Sequence, residues 1–192
     1  QVVDHYPGVR YILEENLGLS HARNAGVQAA RNDIIAFIDD DAEASTGWLE
    51  AMLKTYETIP DTWAVGGKVL PIWDAVKPDW ITEDKFRQLS LVDWGDVPRH
   101  LSWPERIIGT NCSFRRQVFS DIGFFDTGLG RIGTVLLGNE DTEIQQRIHA
   151  LGHSVYYTPD AVVHHHVPAS RMTGEYFKRR SEGTIFSQKI MN

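Results

Sequence analysis

The stretch IIAFIDDDA, Ile34 to Ala42, constrains the fold more than any other: five apolar residues run without polar alternation straight into three consecutive carboxylates. A strand without alternation suits a central parallel position covered on both faces. Three adjacent negative charges at its carboxyl end repel one another unless something positive neutralises them. In open α/β sheets ligands bind just outside the carboxyl ends of strands, so the cluster marks a site as well as an element. A hard divalent cation such as Mg2+ or Mn2+ takes oxygen ligands and is commonly held by one or two carboxylates plus substrate phosphates. Alternate residues of an extended segment point the same way, so Asp39 and Asp41 could share an ion while Asp40 points elsewhere. The competing interpretation is a solvated acidic turn.

The flanking segments extend an α/β pattern. Val9 to Leu13 (VRYIL) reads as a buried strand. Ser20 is placed to cap a helix over HARNAGVQAARN, whose Ala22, Ala25 and Ala29 offer a face for close packing. With IIAFI this makes a β-α-β unit. Ser45 or Thr46 starts a second helix bearing Trp48, Met52, Leu53 and Tyr56, closed by Pro60-Asp61. WAVGGKVL is a strand whose Gly66-Gly67 marks a bulge or a close backbone approach. Residues 71–104 differ in texture, holding four of the eight prolines and four of the six tryptophans (Trp73, Trp80, Trp94, Trp103). Such an irregular excursion suits a lid or binding loop.

Beyond it, GTNCSFRR predicts a strand running into a short helix. Asn139 then caps EDTEIQQRIHALG, with Ile144, Ile148 and Leu151 on one face and Gly152 at its end. HSVYYTPDAVVHHHV predicts two strands split by Pro159-Asp160. From Thr173 an amphipathic helix carries Lys178, Arg179 and Arg180, whose charges read best as a solvated face, too few for a polybasic membrane signal. Asn139-Glu140-Asp141 is a second acidic group, read either as charge complementarity at a helix N-terminus or as a general base aimed into a cleft. Of His164, His165 and His166, the middle one points opposite to its neighbours, so one metal ligand fits and three do not.

Composition narrows the partners. With 192 residues, 42% of them hydrophobic, the chain can bury a core, and a net charge of −7 argues against nucleic acid. The single cysteine, Cys112, excludes an internal disulfide and fits a reducing compartment. No apolar run approaches the roughly 20 residues needed to span a bilayer.

Taken in order, NLGLSHARNAGVQAARNDIIAFIDDDA, GTNCSFRRQVFSDIGFFD, GNEDTEIQQRIHALG and PDAVVHHHV resemble the family 2 glycosyltransferases. The resemblance implies an α/β fold of GT-A type, Rossmann-like, with a mixed and mostly parallel sheet flanked by helices. It implies a metal-dependent, inverting hexosyl transfer from a nucleotide sugar, expected to be a UDP-sugar, to a hydroxyl acceptor in glycan or polysaccharide synthesis. IDDDA occupies the DxD position: Asp39 and Asp41 with His165 are implied for Mn2+ or Mg2+, and Asp39 and Asp40 for the sugar nucleotide. Asp141 matches the catalytic base, with Glu140 shaping the acceptor side. Arg23 and Asn24 are implied near the nucleotide, and Gly109, Thr110 and Asn111 under the donor sugar. Residues 71–104 would form the acceptor side.

The resemblance also implies a single domain over 1–192 that lacks its first β-α-β portion, a piece of roughly 40 residues or more. The expected location is cytoplasmic, with at most weak contact between the basic C-terminal helix and the cytoplasmic face of a membrane. Two other interpretations compete. One is a non-catalytic glycan- or partner-binding module on a transferase scaffold. The other is a haloacid-dehalogenase-type phosphatase, against which the DDDA sequence counts because it lacks the DxDx[TV] form.

Overall fold

A computed structural model describes residues 6–191. Its elements are α1 (Leu19–Ala29), β1 (Ile34–Ile38), β2 (Ala42–Ala44), α2 (Trp48–Thr58), β3 (Thr62–Gly66), β4 (Val69–Trp73), β5 (Arg99–His100), β6 (Asn111–Arg115), α3 (Arg116–Asp121), α4 (Glu140–Ala150), β7 (Ser154–Tyr157), β8 (Val163–Val167) and α5 (Gly174–Met191). One sheet has the order β1-β6-β3-β7-β5 and a smaller one the order β2-β8-β4. Among the described strands only β3-β7 and β4-β8 pair in parallel, so the sheets are mixed, without the expected preponderance of parallel pairs.

The apolar run of β1 is covered on both faces, as its lack of alternation requires. Ile34 and Ala36 pack against a cluster built on Trp48, Met52 and Tyr56 of α2, while Ile35 and Phe37 join one containing Val27 of α1 and Ile144 and Ile148 of α4. Among the described residues the strand is nevertheless neither central nor paired in parallel: it lies at the sheet edge, antiparallel to β6 with Ile34 opposite Arg115. Coverage of the faces governs side-chain pattern, and the pattern carries no information about which strand lies alongside. VRYIL forms no strand and leaves Val9, Tyr11 and Leu13 exposed, because no strand among the described residues pairs with it; the expected β-α-β unit is therefore absent from them.

The helices form where periodicity puts them, with corrections at their ends. Ser20 does not cap α1. The helix starts after Gly18, and the Ser20 hydroxyl donates to the Leu129 carbonyl at 2.8 Å. The packed face of α1 is Ser20, Arg23 and Val27, and Ala22 faces solvent. Gly47, in a left-handed conformation, precedes α2, so neither Ser45 nor Thr46 is its cap; Leu53 and Leu151 are about half exposed. Asn139 precedes α4 in a left-handed conformation (φ 69°) without a side-chain cap bond.

WAVGGKVL divides into β3 and β4 at Gly66-Gly67, where the chain crosses from the larger sheet to the smaller. A Cβ on Gly67 would collide with the Ala161 carbonyl oxygen and stand 2.8 Å from that of Thr158. A third cluster, with Val69, Leu89, Val92, Val167 and Phe177, lies between the smaller sheet, the 71–104 excursion and α5. The excursion is partly regular, extending β4 to Trp73 and adding a 3₁₀ helix over Glu83–Leu89 and the short β5. Arg180 of α5 belongs to no solvated face: its guanidinium donates to the Leu136 and Leu137 carbonyls at 3.1 and 3.2 Å.

Candidate active site

The acidic cluster opens into a cleft between the ends of β1 and β8, the start of α4 and the turn before β6. Asp39, first after β1, accepts a hydrogen bond from Thr110 Oγ1 at 2.7 Å and lies 3.4 Å from Arg23 Nη2. The other side of that guanidinium pairs with Glu140 at 2.7 Å, both residues being buried. Arg23 also lies over the rings of Phe37 and Phe125, 5.9 and 5.8 Å from their centroids. Gly109 permits this arrangement, since a side chain there would overlap the guanidinium. Burial works against the charge on Arg23, but Glu140 and Asp39 outweigh it and hold the pKa above its ordinary value. Burial, followed by the neighbouring charge of Asp141, raises Glu140 above the usual carboxylate range.

Asp41 has different partners. The β2-β8 ladder sets Ala42 opposite His165, and the His166 amide donates to the Asp41 carbonyl at 2.9 Å. This register brings Asp41 Oδ1 within 3.2 Å of His165 Nε2, while Arg171 Nη2 meets Oδ2 at 2.9 Å. His165, then Arg171, hold the Asp41 carboxyl well below its usual range. The flanking histidines face away as strand alternation requires: His164 meets Ser45, and His166 bridges Asp74 and Glu43. Two of the three DDD carboxylates thus meet separate guanidinium groups, Asp39 that of Arg23 and Asp41 that of Arg171, with His165 Nε2 also 3.2 Å from Asp41 and Asp40 exposed at the cleft.

Asp141 lines the same cleft from the first turn of α4, its Oδ2 accepting the Gly109 amide at 2.8 Å. Gln145 steadies this turn by donating to the Asp141 carbonyl at 2.6 Å.

Two residues singled out in the sequence are elsewhere. Asn24 exchanges bonds with the backbone of Phe125 at 2.9 and 3.0 Å, so it latches the 122–130 loop. Asn111 is fully buried and ties Trp48, Lys68 and Ala161 together. Sequence reasoning missed most of the positive wall. Six of the thirteen arginines line the cleft, namely Arg23, Arg87, Arg106, Arg131, Arg171 and Arg180, and no lysine does. Only Arg23 has a local signal, the ARN triplet. The others come from five separate segments, with no spacing to announce them.

The donor set for a metal is one carboxylate oxygen and one imidazole nitrogen, 3.2 Å apart on Asp41 and His165. His165 Nδ1 is buried without a partner, while Nε2 lies 3.2 Å from both Asp41 Oδ1 and Arg171 Nη1. Among the described residues no three His, Cys, Asp or Glu side chains gather to hold an ion. Two protein ligands fit a divalent cation whose remaining sites are filled by phosphate oxygens and water.

Comparison with known proteins agrees with the geometry. Residues 1–123 match the family described as Glycosyl transferase family 2. The chain is 34% identical over 185 residues to a glucosyl-dolichyl phosphate glucuronosyltransferase of Haloferax volcanii, covering 96% of this chain and 59% of that protein. It is 28% identical over 177 residues to the succinoglycan biosynthesis protein ExoM of Rhizobium meliloti, covering 90% and 52%. The chain therefore spans between half and two thirds of these relatives. Among solved structures, a mannosyltransferase from Pyrobaculum calidifontis in complex with GDP-Man and Mn2+ superposes with a TM-score of 0.63 at 20% identity, over 99% of this chain and 49% of that one. GalNAc-T7 with UDP, GalNAc and Mn2+ gives 0.56 at 18% identity, over 82% and 32%. These likenesses show the GT-A fold, and the family match over most of the chain, with the 34% identical relative, establishes that this protein belongs to glycosyl transferase family 2.

Proposed function

We propose that this chain carries the catalytic centre of a metal-dependent, inverting glycosyltransferase that moves a sugar from a nucleotide sugar, expected to be a UDP-sugar, to an acceptor hydroxyl. The observation that carries this reading is a single cleft lined by the Asp41-His165 pair, by Asp39 and by Asp141. Asp41 and His165 would hold Mn2+ or Mg2+, which when bound offsets the charge gathering on a departing diphosphate. Asp39 and the exposed Asp40 are assigned to the nucleotide sugar, over a floor made by Gly109 and Thr110.

Asp141 supplies the base. Its carboxylate, oriented by the Gly109 amide, takes the acceptor hydroxyl proton as that oxygen bonds to the anomeric carbon and the bond to the diphosphate breaks. Arg23 and Glu140 act beneath this exchange, fixing Gly109 and the first turn of α4 in register. The excursion over 71–104 sends Arg87 and Ser90 to the cleft, and the exposed Trp103 with neighbouring Arg106 gives an acceptor ring a face to stack on.

The test is turnover across a panel of nucleotide sugars, with and without manganese, in the chain and in Asp141→Asn. Removing a general base should lower turnover by about 10²–10⁴-fold, while calorimetry shows donor binding intact. Unchanged turnover in the variant would remove Asp141 from its role. Intact donor binding without transfer to any acceptor would favour a binding module.

A further inference from the structure

Arg23 and Arg171 both pair with carboxylates of the acidic cluster, but they are held differently. The Arg23 side chain is 6% exposed and fixed between Glu140, Asp39 and two aromatic rings. Arg171 closes a 3₁₀ turn over Ala169–Arg171, and its side chain is 23% exposed. No aromatic ring covers its guanidinium among the described residues. Its backbone is anchored, since the Arg171 amide donates to the Pro168 carbonyl at 2.9 Å and Met172 is buried in the cluster between the smaller sheet and α5. Exchange of partners at Arg171 therefore asks only for side-chain rotation.

The guanidinium fork spans the two side chains assigned to the metal: Nη2 lies 2.9 Å from Asp41 Oδ2 and Nη1 3.2 Å from His165 Nε2. Asp41 Oδ1 is itself 3.2 Å from the same Nε2. A ring nitrogen either donates or accepts, so Nε2 cannot serve both neighbours. With a proton it faces the Arg171 donor. Without one it faces the carboxylate oxygen, while the buried and unpartnered Nδ1 holds the proton. A divalent cation between Asp41 and His165 removes the conflict, because both atoms then donate electron pairs. Those are the electron pairs that Arg171 engages, and two positive groups on one pair of ligands repel each other. Arg171 and a divalent cation are thus alternatives at Asp41 and His165.

A displaced guanidinium has a new partner in the same cleft, which Arg171 lines together with Asp41 and His165. Planar guanidinium groups bind phosphate oxygens through paired, charge-assisted bonds. We propose that Arg171 is a placeholder cation on Asp41 and His165, displaced when Mn2+ or Mg2+ binds and taken up by the donor's diphosphate, so that metal and nucleotide bind cooperatively through it. This rests on the transferase reading, which assigns Asp41 and His165 to the metal and the donor to this cleft. A metal arriving alone must break the Arg171 contacts without replacing them. A diphosphate that has drawn Arg171 away leaves both ligands open, and by linkage each of the two strengthens the other by the same factor.

The experiment is titration of the chain with Mn2+, with and without UDP, in the parent, Arg171→Gln and Asp41→Asn. Bound ion is read from the loss of the free Mn2+ electron paramagnetic resonance signal, corrected for ion taken up by UDP itself, and thermal midpoints check folding. Without UDP, Arg171→Gln should take Mn2+ about tenfold more tightly than the parent, since a charge-assisted contact no longer has to be broken. With UDP bound the two should have equal Mn2+ affinity, so the strengthening of Mn2+ by UDP falls about tenfold in the variant. Calorimetry at saturating Mn2+ should show UDP bound more weakly by Arg171→Gln. Arg171→Lys keeps the charge without the fork and serves if the glutamine variant loses its fold; it too should take Mn2+ more tightly than the parent.

Weaker Mn2+ binding by Arg171→Gln in the absence of UDP would overturn the proposal, because a residue that only braces Asp41 and His165 acts in that direction. An unchanged strengthening of Mn2+ by UDP would overturn it as well. Mn2+ bound as tightly by Asp41→Asn as by the parent would remove the metal assignment itself, and the proposal with it. Mn2+ lost in Asp41→Asn, with Arg171→Gln matching the parent, would keep the metal assignment and overturn the role of Arg171 alone.

Discussion

Arg23 has the most exacting position in the molecule, since its guanidinium is buried between Asp39, Glu140 and two aromatic rings. Removing one partner of a buried pair leaves the other charge without compensation, so Arg23→Gln should cost about 3–5 kcal/mol in denaturant unfolding. Adding Glu140→Gln should restore a large part of that loss; a double variant as unstable as the sum of the two singles would show that the pair is not coupled. The sequence marked Arg23 for the nucleotide, and Asn24 with it, because a motif names residue types and not their partners. Asp41 predicts a pH effect. His165 and then Arg171 hold its folded pKa below that of an ordinary aspartate, so its contribution to stability is present above the ordinary value and is lost as the pH falls toward the folded one. The thermal midpoint should therefore drop on acidification below about pH 5. Asp41→Asn should show a shallower drop over the same interval.

At the scale of elements, the glycine pair between β3 and β4 controls whether the two sheets can meet. Gly67→Ala would force Ala161 and Thr158 away from the β3-β4 junction, at a cost of about 3 kcal/mol by analogy with overpacked sites. Gly26→Ala, inside α1 with open space around its Cβ position, should stabilise the chain by about 0.5–1 kcal/mol. Chemical denaturation of both variants checks the contrast, and a neutral Gly67→Ala would mean that the junction yields.

The Gly66-Gly67 pair, read as a bulge or a close backbone approach, was legible from the order of residues, as were α2, α4, β7 and β8, because periodicity and breakers act locally. The edge position of β1 was not, nor the fate of VRYIL, since both depend on which strands lie alongside. The carboxylates Asp39, Asp41 and Asp141 could be singled out because they stand in compact motifs. Arg87, Arg106, Arg131, Arg171 and Arg180 could not, because folding alone assembles them.

The whole molecule separates its charge. The chain carries a net −7, yet gathers six arginines against five carboxylates in one cleft, with Arg23, Glu140, Asp39 and Asp41 already engaged among themselves or with Arg171 and His165. An anionic substrate approaching such a chain meets a net negative charge at long range and a cluster of arginines at the cleft. The long-range repulsion acts through solvent and is screened within about 8 Å at physiological ionic strength. Guanidinium contacts inside a partly desolvated cleft are screened far less. Raising salt from about 20 to 150 mM should therefore speed association of a nucleotide sugar, by removing the repulsion, while the dissociation rate changes little. Stopped-flow tryptophan fluorescence of donor binding with manganese held constant would measure both rates. Association that slows as salt rises would mean instead that the arginine cleft, and not the net charge, dominates the field felt by the incoming anion.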